Sequence, residues 1–326
     1  MIANKVSVII RTKDRNYLLK RAIDSVIQQT FNDYEIIIIN DGGDTNKIND
    51  VFKNKEIALL KDSSKIKLIS NLESVGRGKA FNIGMNECSS KYICCLDDDD
   101  SWSPTFLESM VKKLTDAQKD DEQIKGVVCR CDEVYEKVKY NKNTKDSTDE
   151  FDISYLYNEF IFDFNSYSGL INPYMYHIRK HDFYPVQFLC ETQAIKDVGG
   201  FNPNIPVLED RSCFQKFLSK YKVCVLDKHL SSHHLRTGNY NIESSNTIGN
   251  NNIDWEYYFS LVDSEMFYSK CYYSNSIYLK SSQTKEMTWF LNQRYSKSKF
   301  MRFIRMPISI KIDKVKIKLM RLKRKI

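Results

Sequence analysis

Four isoleucines in a row, Ile36 to Ile39, follow Glu35 and run into Asn40-Asp41. A strand with one wetted face alternates polar and apolar residues. An unbroken β-branched run is what a parallel strand looks like when helices cover both of its faces. The neighbouring segments repeat the theme. Val6 to Ile10 is a second short β-branched run, interrupted by Ser7 alone, and Leu18, Leu19, Ala22, Ile23, Val26 and Ile27 follow it at helical spacing. Asp41-Gly42-Gly43-Asp44 reads as a turn in which Asp44 caps a helix through Phe52. Lys65 to Ile69 and Tyr92 to Leu96 give two more strands, with a helix over Lys79 to Asn86 between them. Ser103-Pro104 is expected to open a helix whose apolar stripe is Phe106, Met110 and Leu114. This β-α-β-α-β order predicts a doubly wound α/β sheet. Ligands of such sheets bind beyond the carboxyl ends of the strands, where Arg11, Asp41 and Asp97 to Asp100 fall.

With 326 residues, 42% of them hydrophobic, the chain can bury a large core, which excludes disorder and fibrous repeats. The second half is less legible. Gly126 to Tyr135 reads as a strand and Asn141 to Glu150 as a polar loop. From Phe151 to Tyr184 aromatics are dense without periodicity, so irregular structure with short helices is expected. Phe188 to Thr192 resumes strand character, Gln193 to Val198 is a short helix, and Leu208-Glu209-Asp210 opens another with Phe214, Phe217 and Leu218 inward. Val223 to Leu226 is the last buried strand expected. Nine cysteines, an odd number without CxxC spacing, suggest core residues rather than a disulfide framework or a zinc site.

The charge of +7 is uneven: from Lys285 onward fourteen Lys or Arg face two acidic residues, leaving a mildly acidic body. Nucleic acid is therefore not the expected partner of the body. Ile308, Ile312, Val315, Leu319, Leu322 and Ile326 recur at helical steps amid eight basic residues from Lys311 to Lys325. This basic amphipathic helix suits an anionic membrane surface; a helix packing on the body or on a second copy, as in a homodimer, is the alternative. No run approaches the roughly 20 apolar residues of a membrane span, and the start lacks the pattern of a secretory leader. The expected location is cytoplasmic, peripheral to the inner face of the cell membrane.

Asp97 to Asp100 is the most demanding feature. Four carboxylates at the end of an apolar strand repel one another, and burial penalises each charge. A divalent cation relieves this, and oxygen ligands suit Mg2+ or Mn2+. Open coordination sites on such a cation point to a phosphate-bearing substrate. A solvated acidic loop capping the next helix is the plain alternative.

These features resemble a known family. Val6-Ser7-Val8-Ile9-Ile10-Arg11-Thr12-Lys13-Asp14-Arg15, Gln28-Gln29-Thr30-Phe31, Asp33-Tyr34-Glu35 and Ile39-Asn40-Asp41-Gly42-Gly43 are similar to the opening of family 2 glycosyltransferases. Asn71, Gly76, Arg77, Ala80, Asn82 and Gly84 resemble its next block, and Leu96 to Asp100 with Trp102 and Pro104 its DXD segment. Gly199-Gly200-Phe201 and Leu208-Glu209-Asp210 resemble its acceptor-side block. The resemblance spans about residues 5 to 235.

It implies a GT-A fold, a Rossmann-like nucleotide-binding mixed sheet flanked by helices, over residues 1–240. Residues 1–120 would form the nucleotide-sugar half and 121–240 the acceptor half. Residues 241–326 would be a helical C-terminal extension ending in the basic tail. It implies an inverting, metal-dependent transfer from a nucleotide-sugar, a UDP-sugar first among them, to a glycan or lipid-linked glycan. Asp41 would meet the base, although as a turn residue it has a structural alternative. Arg11, Thr12, Asp14 and Arg77 would line the nucleotide site; Arg11 stands where relatives carry proline and could equally form an ion pair with a strand-end aspartate. Asp97 and Asp98 would contact the nucleotide, and Asp99 would hold Mn2+ or Mg2+, with His234 as the second metal ligand among His233, His234 and Arg236. Asp210 occupies the catalytic-base position and Glu209 supports it. A carboxylate at a helix start is expected to stay ionised at neutral pH. Two other function classes remain open from sequence: a sugar nucleotidyltransferase, disfavoured because Arg11-Thr12-Lys13-Asp14 contains no glycine, and a non-catalytic glycan-binding scaffold.

Overall fold

A computed structural model describes residues 5–140, 151–160, 169–177, 179, 181–238 and 253–268. The chain divides into two compact units, Met1–Asp254 and Trp255–Ile326. The boundary expected at 240/241 and the basic tail 308–326 lie outside the described residues.

The first unit begins with β1 (Val6–Thr12), α1 (Asn16–Ile27), β2 (Tyr34–Asp41), α2 (Thr45–Val51), α3 (Lys55–Asp62) and β3 (Ile66–Asn71). Next come α4 (Arg77–Glu87), β4 (Tyr92–Asp97), β5 (Ser101–Trp102), α5 (Phe106–Asp120), β6 (Ile124–Tyr140) and β7 (Phe151–Phe160). The unit continues with α6 (Pro173–His177), β8 (Phe188–Glu191), α7 (Thr192–Asp197), α8 (Glu209–Lys220) and β9 (Lys222–Gly238). Among the described residues the second unit contributes α9 (Trp255–Tyr268).

The strands form one mixed sheet in the order β3-β2-β1-β4-β8-β6-β9-β5, with β7 paired to β6. β1 to β4 run parallel, as the isoleucine runs predicted. β8 turns the sheet by pairing antiparallel to both β4 and β6. Ile36 and Ile38 of β2 face one core with α1 and α5; Ile37 and Ile39 face the other with α4 and α8. All four are fully buried. Each isoleucine withdrawn from water contributes roughly 1.5–3 kcal/mol, and the two-sided cover explains why the run contains no polar break.

Three sequence expectations change. The helix expected from Ser103-Pro104 starts at Phe106 behind Thr105; the Ser103 carbonyl accepts both the Phe106 amide and Gln29 Nε2, and the Pro104 carbonyl accepts the Thr30 amide. The region from Phe151 contains strand β7, which its pairing with β6 creates where periodicity was absent. The last strand does not stop at Leu226: β9 extends to Gly238 alongside β6, crossing register shifts near Cys129 and Arg130. That extension brings His233, His234 and Arg236 to the strand end where Asp99 lies. The Asp44 cap is present, accepting from the Asn46 amide at 2.8 Å. The eight cysteines among the described residues are buried and unbridged.

Candidate active site

The carboxyl ends of β1, β2 and β4 meet α4 and α8 at one edge of the sheet. Register sets the first contact: Arg11 of β1 lies opposite Asp97 of β4. The Arg11 guanidinium donates to Asp97 through Nε at 3.0 Å and to Glu209 Oε1 through NH1 at 3.2 Å. Its NH1 also donates to the Arg77 carbonyl at 3.1 Å. Glu209 accepts a second guanidinium, from Arg77, at 3.1 Å on its other oxygen. Arg11 and Glu209 are both buried, so this bridge couples β4 to the start of α8 with little competition from water.

The remaining aspartates are just as closely matched. Thr12 donates its hydroxyl to Asp98 at 2.7 Å, and Arg15 reaches Asp98 and Asp99, each at 2.9 Å. Arg236 donates to Asp99 Oδ2 at 2.6 Å, and Arg21 to the Asp99 carbonyl at 2.7 Å. Asp100 accepts from the His234 amide at 3.1 Å and pairs with His233 Nδ1 at 3.0 Å. Glu136 of β6 takes Arg21 at 2.7 Å and His234 at 2.8 Å. Burial opposes ionisation of Asp99, but the Arg15 and Arg236 guanidiniums outweigh it and hold this carboxyl far below the usual range. Burial pushes Asp98 up, with Arg15 opposing and the Asp99 charge adding to the rise. Burial would lower the His233 pKa, yet the Asp100 charge and hydrogen bond raise it to about 9, so the imidazole is charged at neutral pH.

Asp41 organises the loop that follows β3. Its Oδ1 accepts from Asn71 Nδ2 at 2.9 Å and the Val75 amide at 2.8 Å; its Oδ2 accepts from the Ser74 hydroxyl at 2.8 Å and the Gly76 amide at 3.0 Å. Burial acts to raise its pKa, and these four bonds overcome that and lower it. Gly42, at φ +75°, permits the approach: a Cβ there would lie 2.4 Å from the Ser74 nitrogen. Gly78 does the same for α4, where a Cβ would fall 2.5 Å from the Asn202 carbonyl. The first turn of α4 can therefore press against the chain leading into α8.

Asp210 is partly exposed in the first turn of α8 and accepts from the Arg211 amide at 2.7 Å. Burial, then the neighbouring Glu209 charge, pushes its pKa up to about 7, against the pull of Arg77 and Arg11. The expectation of a fully ionised carboxylate at neutral pH is thus corrected: the helix terminus is outweighed by low dielectric and an adjacent like charge. The result is a group with the acidity suited to a general base near pH 7.

The pattern of the family "Glycosyl transferase family 2" matches residues 7–184, more than half of the chain. The chain belongs to glycosyl transferase family 2. An uncharacterized glycosyltransferase of Nostoc sp. is 37% identical over 108 residues, 33% of this chain and 32% of the relative. GalNAc(5)-diNAcBac-PP-undecaprenol beta-1,3-glucosyltransferase of Campylobacter jejuni is 33% identical over 113 residues, 34% of this chain and 35% of the relative. The chain thus aligns with about a third of the length of these curated relatives. The crystal structure of S. aureus TarS 1-349 in complex with UDP-GlcNAc superposes with a TM-score of 0.55 at 16% identity, over 89% of this chain and 72% of that one. That likeness is one of fold, and it supports the GT-A architecture expected from sequence.

For this family 2 chain, the sequence-predicted residues Arg11, Thr12, Asp97, Asp98, Asp99, Glu209 and Asp210 do gather at one sheet edge. Asp41 and Arg77 flank them, while Asp14 is taken up in accepting from the Asp44 amide at 2.7 Å. The contacts of Arg11 are those of the ion-pair alternative. The residues that sequence reasoning missed are Arg15, Arg21 and Glu136. Arg15 closes the first motif and Arg21 lies six residues on, but neither spacing nor composition tied Glu136 to them.

Oxygen donors at a strand end are the right chemistry for Mg2+ or Mn2+, and the carboxylate of the buried Asp99, 12% exposed as a side chain, fits as a ligand. His234 does not: its Nδ1 pairs with Glu136 and its Nε2 with Ser101, both at 2.8 Å. Among the described residues no three His, Cys, Asp or Glu side chains converge as a ready-made metal cage. The like-charge problem posed by four aspartates is met in this structure by guanidinium groups at Asp97, Asp98 and Asp99, and by the His233 ring and the His234 amide at Asp100.

Proposed function

We propose that the protein is an inverting glycosyltransferase that moves a sugar from a nucleoside diphosphate donor, a UDP-sugar, to a hydroxyl of a glycan or lipid-linked glycan. The observation that carries this reading is Asp210: a partly exposed carboxylate with a pKa near 7, joined through Glu209 and Arg11 to the strand-end Asp97. Asp210 takes the acceptor hydroxyl proton as that oxygen bonds to the anomeric carbon. The bond from that carbon to the diphosphate breaks, and its electron pair leaves with the nucleoside diphosphate. One displacement by one base inverts the anomeric centre.

Glu209 is held by Arg11 and Arg77 and keeps the first turn of α8 oriented toward β4. Asp41 fixes the loop 71–76 that walls the base site, and the ring N–H of uracil would replace one of its four present donors. Asp99 would hold Mn2+ or Mg2+, whose positive charge offsets the charge growing on the departing diphosphate. TarS in complex with UDP and with UDP-GlcNAc supports the choice of UDP. The undecaprenol-linked glycan in the name of the Campylobacter jejuni relative supports the acceptor class. Among the described residues no helix is long and apolar enough to cross a membrane, so the basic segment 308–326 is the proposed contact with an anionic surface holding such an acceptor.

The test is calorimetric titration with UDP, dTDP, GDP and CMP, with Mn2+ and with EDTA, on the protein and on Asp210→Asn. We expect one nucleotide to bind both proteins equally, and the variant to lose transfer by about 10²–10⁴-fold. Undiminished transfer by Asp210→Asn refutes the base assignment; failure of every nucleotide to bind refutes the donor site.

A further inference from the structure

Around the strand end, the guanidinium groups of Arg11, Arg15, Arg21, Arg77 and Arg236 pair with the carboxylates of Asp97, Asp98, Asp99, Glu136 and Glu209. These carboxylates therefore already have positive partners. The crowding is greatest at Asp99. Its Oδ2 takes Arg15 at 2.9 Å and Arg236 at 2.6 Å, while Arg21 holds its carbonyl at 2.7 Å. The Arg236 side chain is fully buried, and that of Arg15 is only 17% exposed. A divalent ion entering alone at Asp99 would meet two guanidinium charges bonded to Oδ2 of the same carboxylate, in a site where water screens them poorly. A diphosphate changes the balance, because its oxygens bind planar guanidiniums as well as a carboxylate does and its charge matches that of the incoming ion.

We propose that Arg15 and Arg236 close Asp99 to a divalent cation until a nucleoside diphosphate draws them off, so that cation and donor bind together and the cation alone does not. This rests on the donor-site reading above and adds to it the order in which that site fills.

Binding of Mn2+, read from the loss of the free-ion electron paramagnetic resonance signal, tests this without any measurement of transfer. The full-length protein should show no saturation by Mn2+ alone up to about 1 mM, and UDP should tighten Mn2+ binding by at least about tenfold. Arg236→Gln should bind Mn2+ alone at least about tenfold more tightly than the parent does. Arg15→Gln, at a more accessible position, is expected to shift Mn2+ binding in the same direction, and circular dichroism confirms that each variant is folded. Equal Mn2+ affinity with and without UDP overturns the proposal, as does unchanged Mn2+ affinity in whichever variants fold. If no nucleoside diphosphate binds under any condition, the donor-site reading itself falls and takes this inference with it; that outcome is distinct from Mn2+ and UDP each binding independently.

Discussion

Replacing Arg11 with leucine tests whether the buried ion pairs hold β4 and the start of α8 together. Arg11 is 5% exposed, Glu209 2% and Asp97 28% as side chains. Removing one partner of a buried pair destabilises by about 3–5 kcal/mol, because the other charge stays behind without compensation. Here two carboxylates lose their guanidinium, but Asp97 has some access to water and Glu209 keeps Arg77. The lower end, about 3 kcal/mol, is therefore the appropriate value, which for a unit of this size is roughly 6–12 °C in Tm. Scanning calorimetry at about pH 7 measures it. An Arg11→Leu protein melting within about 2 °C of the parent refutes the reasoning.

Three further outcomes follow from the same geometry. Because the Asp210 pKa is raised to about 7, its proton is held in the folded protein and lost from the unfolded chain between about pH 4 and 7; stability falls as pH rises through that window, and Asp210→Asn should melt higher than the parent at pH 8 but not at pH 4. His233, raised to about 9, contributes stability that is complete below about pH 6.5 and disappears as pH rises through 9; in melts across pH 7–10, His233→Gln should lack that alkaline decline. Gly78→Val should lower Tm through about 1–3 kcal/mol of overpacking against the Asn202 carbonyl, and should slow transfer more than it weakens nucleotide binding, because the chain it displaces leads to Asp210.

Ile36 to Ile39 and the runs around them were enough to define the parallel half of the sheet, since period and β-branching act locally and burial on both faces leaves no ambiguity about where they sit. The strand-end positions of Arg11, Asp41 and Asp97 followed directly, as did Asp210 from its motif. Other features were not legible. β7 and the second half of β9 exist because they pair with β6, and strand pairing between distant segments leaves no signature in either segment alone. Ser103 reads as a helix cap, but the helix begins two residues later behind Thr105, and Gln29 and Thr30 bond to the carbonyls of Ser103 and Pro104 from a distant part of the chain.

Electrostatics divides along the same line. The sequence by itself determined that four aspartates end a buried strand and that something positive has to answer them. Only the tertiary structure decided what does so: Arg15 and Arg21 from the first helical segment and Arg236 from a strand more than a hundred residues later converge on Asp99. Composition counts charges without their positions. Coulombic compensation depends on separations of a few ångströms and on burial, and both are properties of the folded chain.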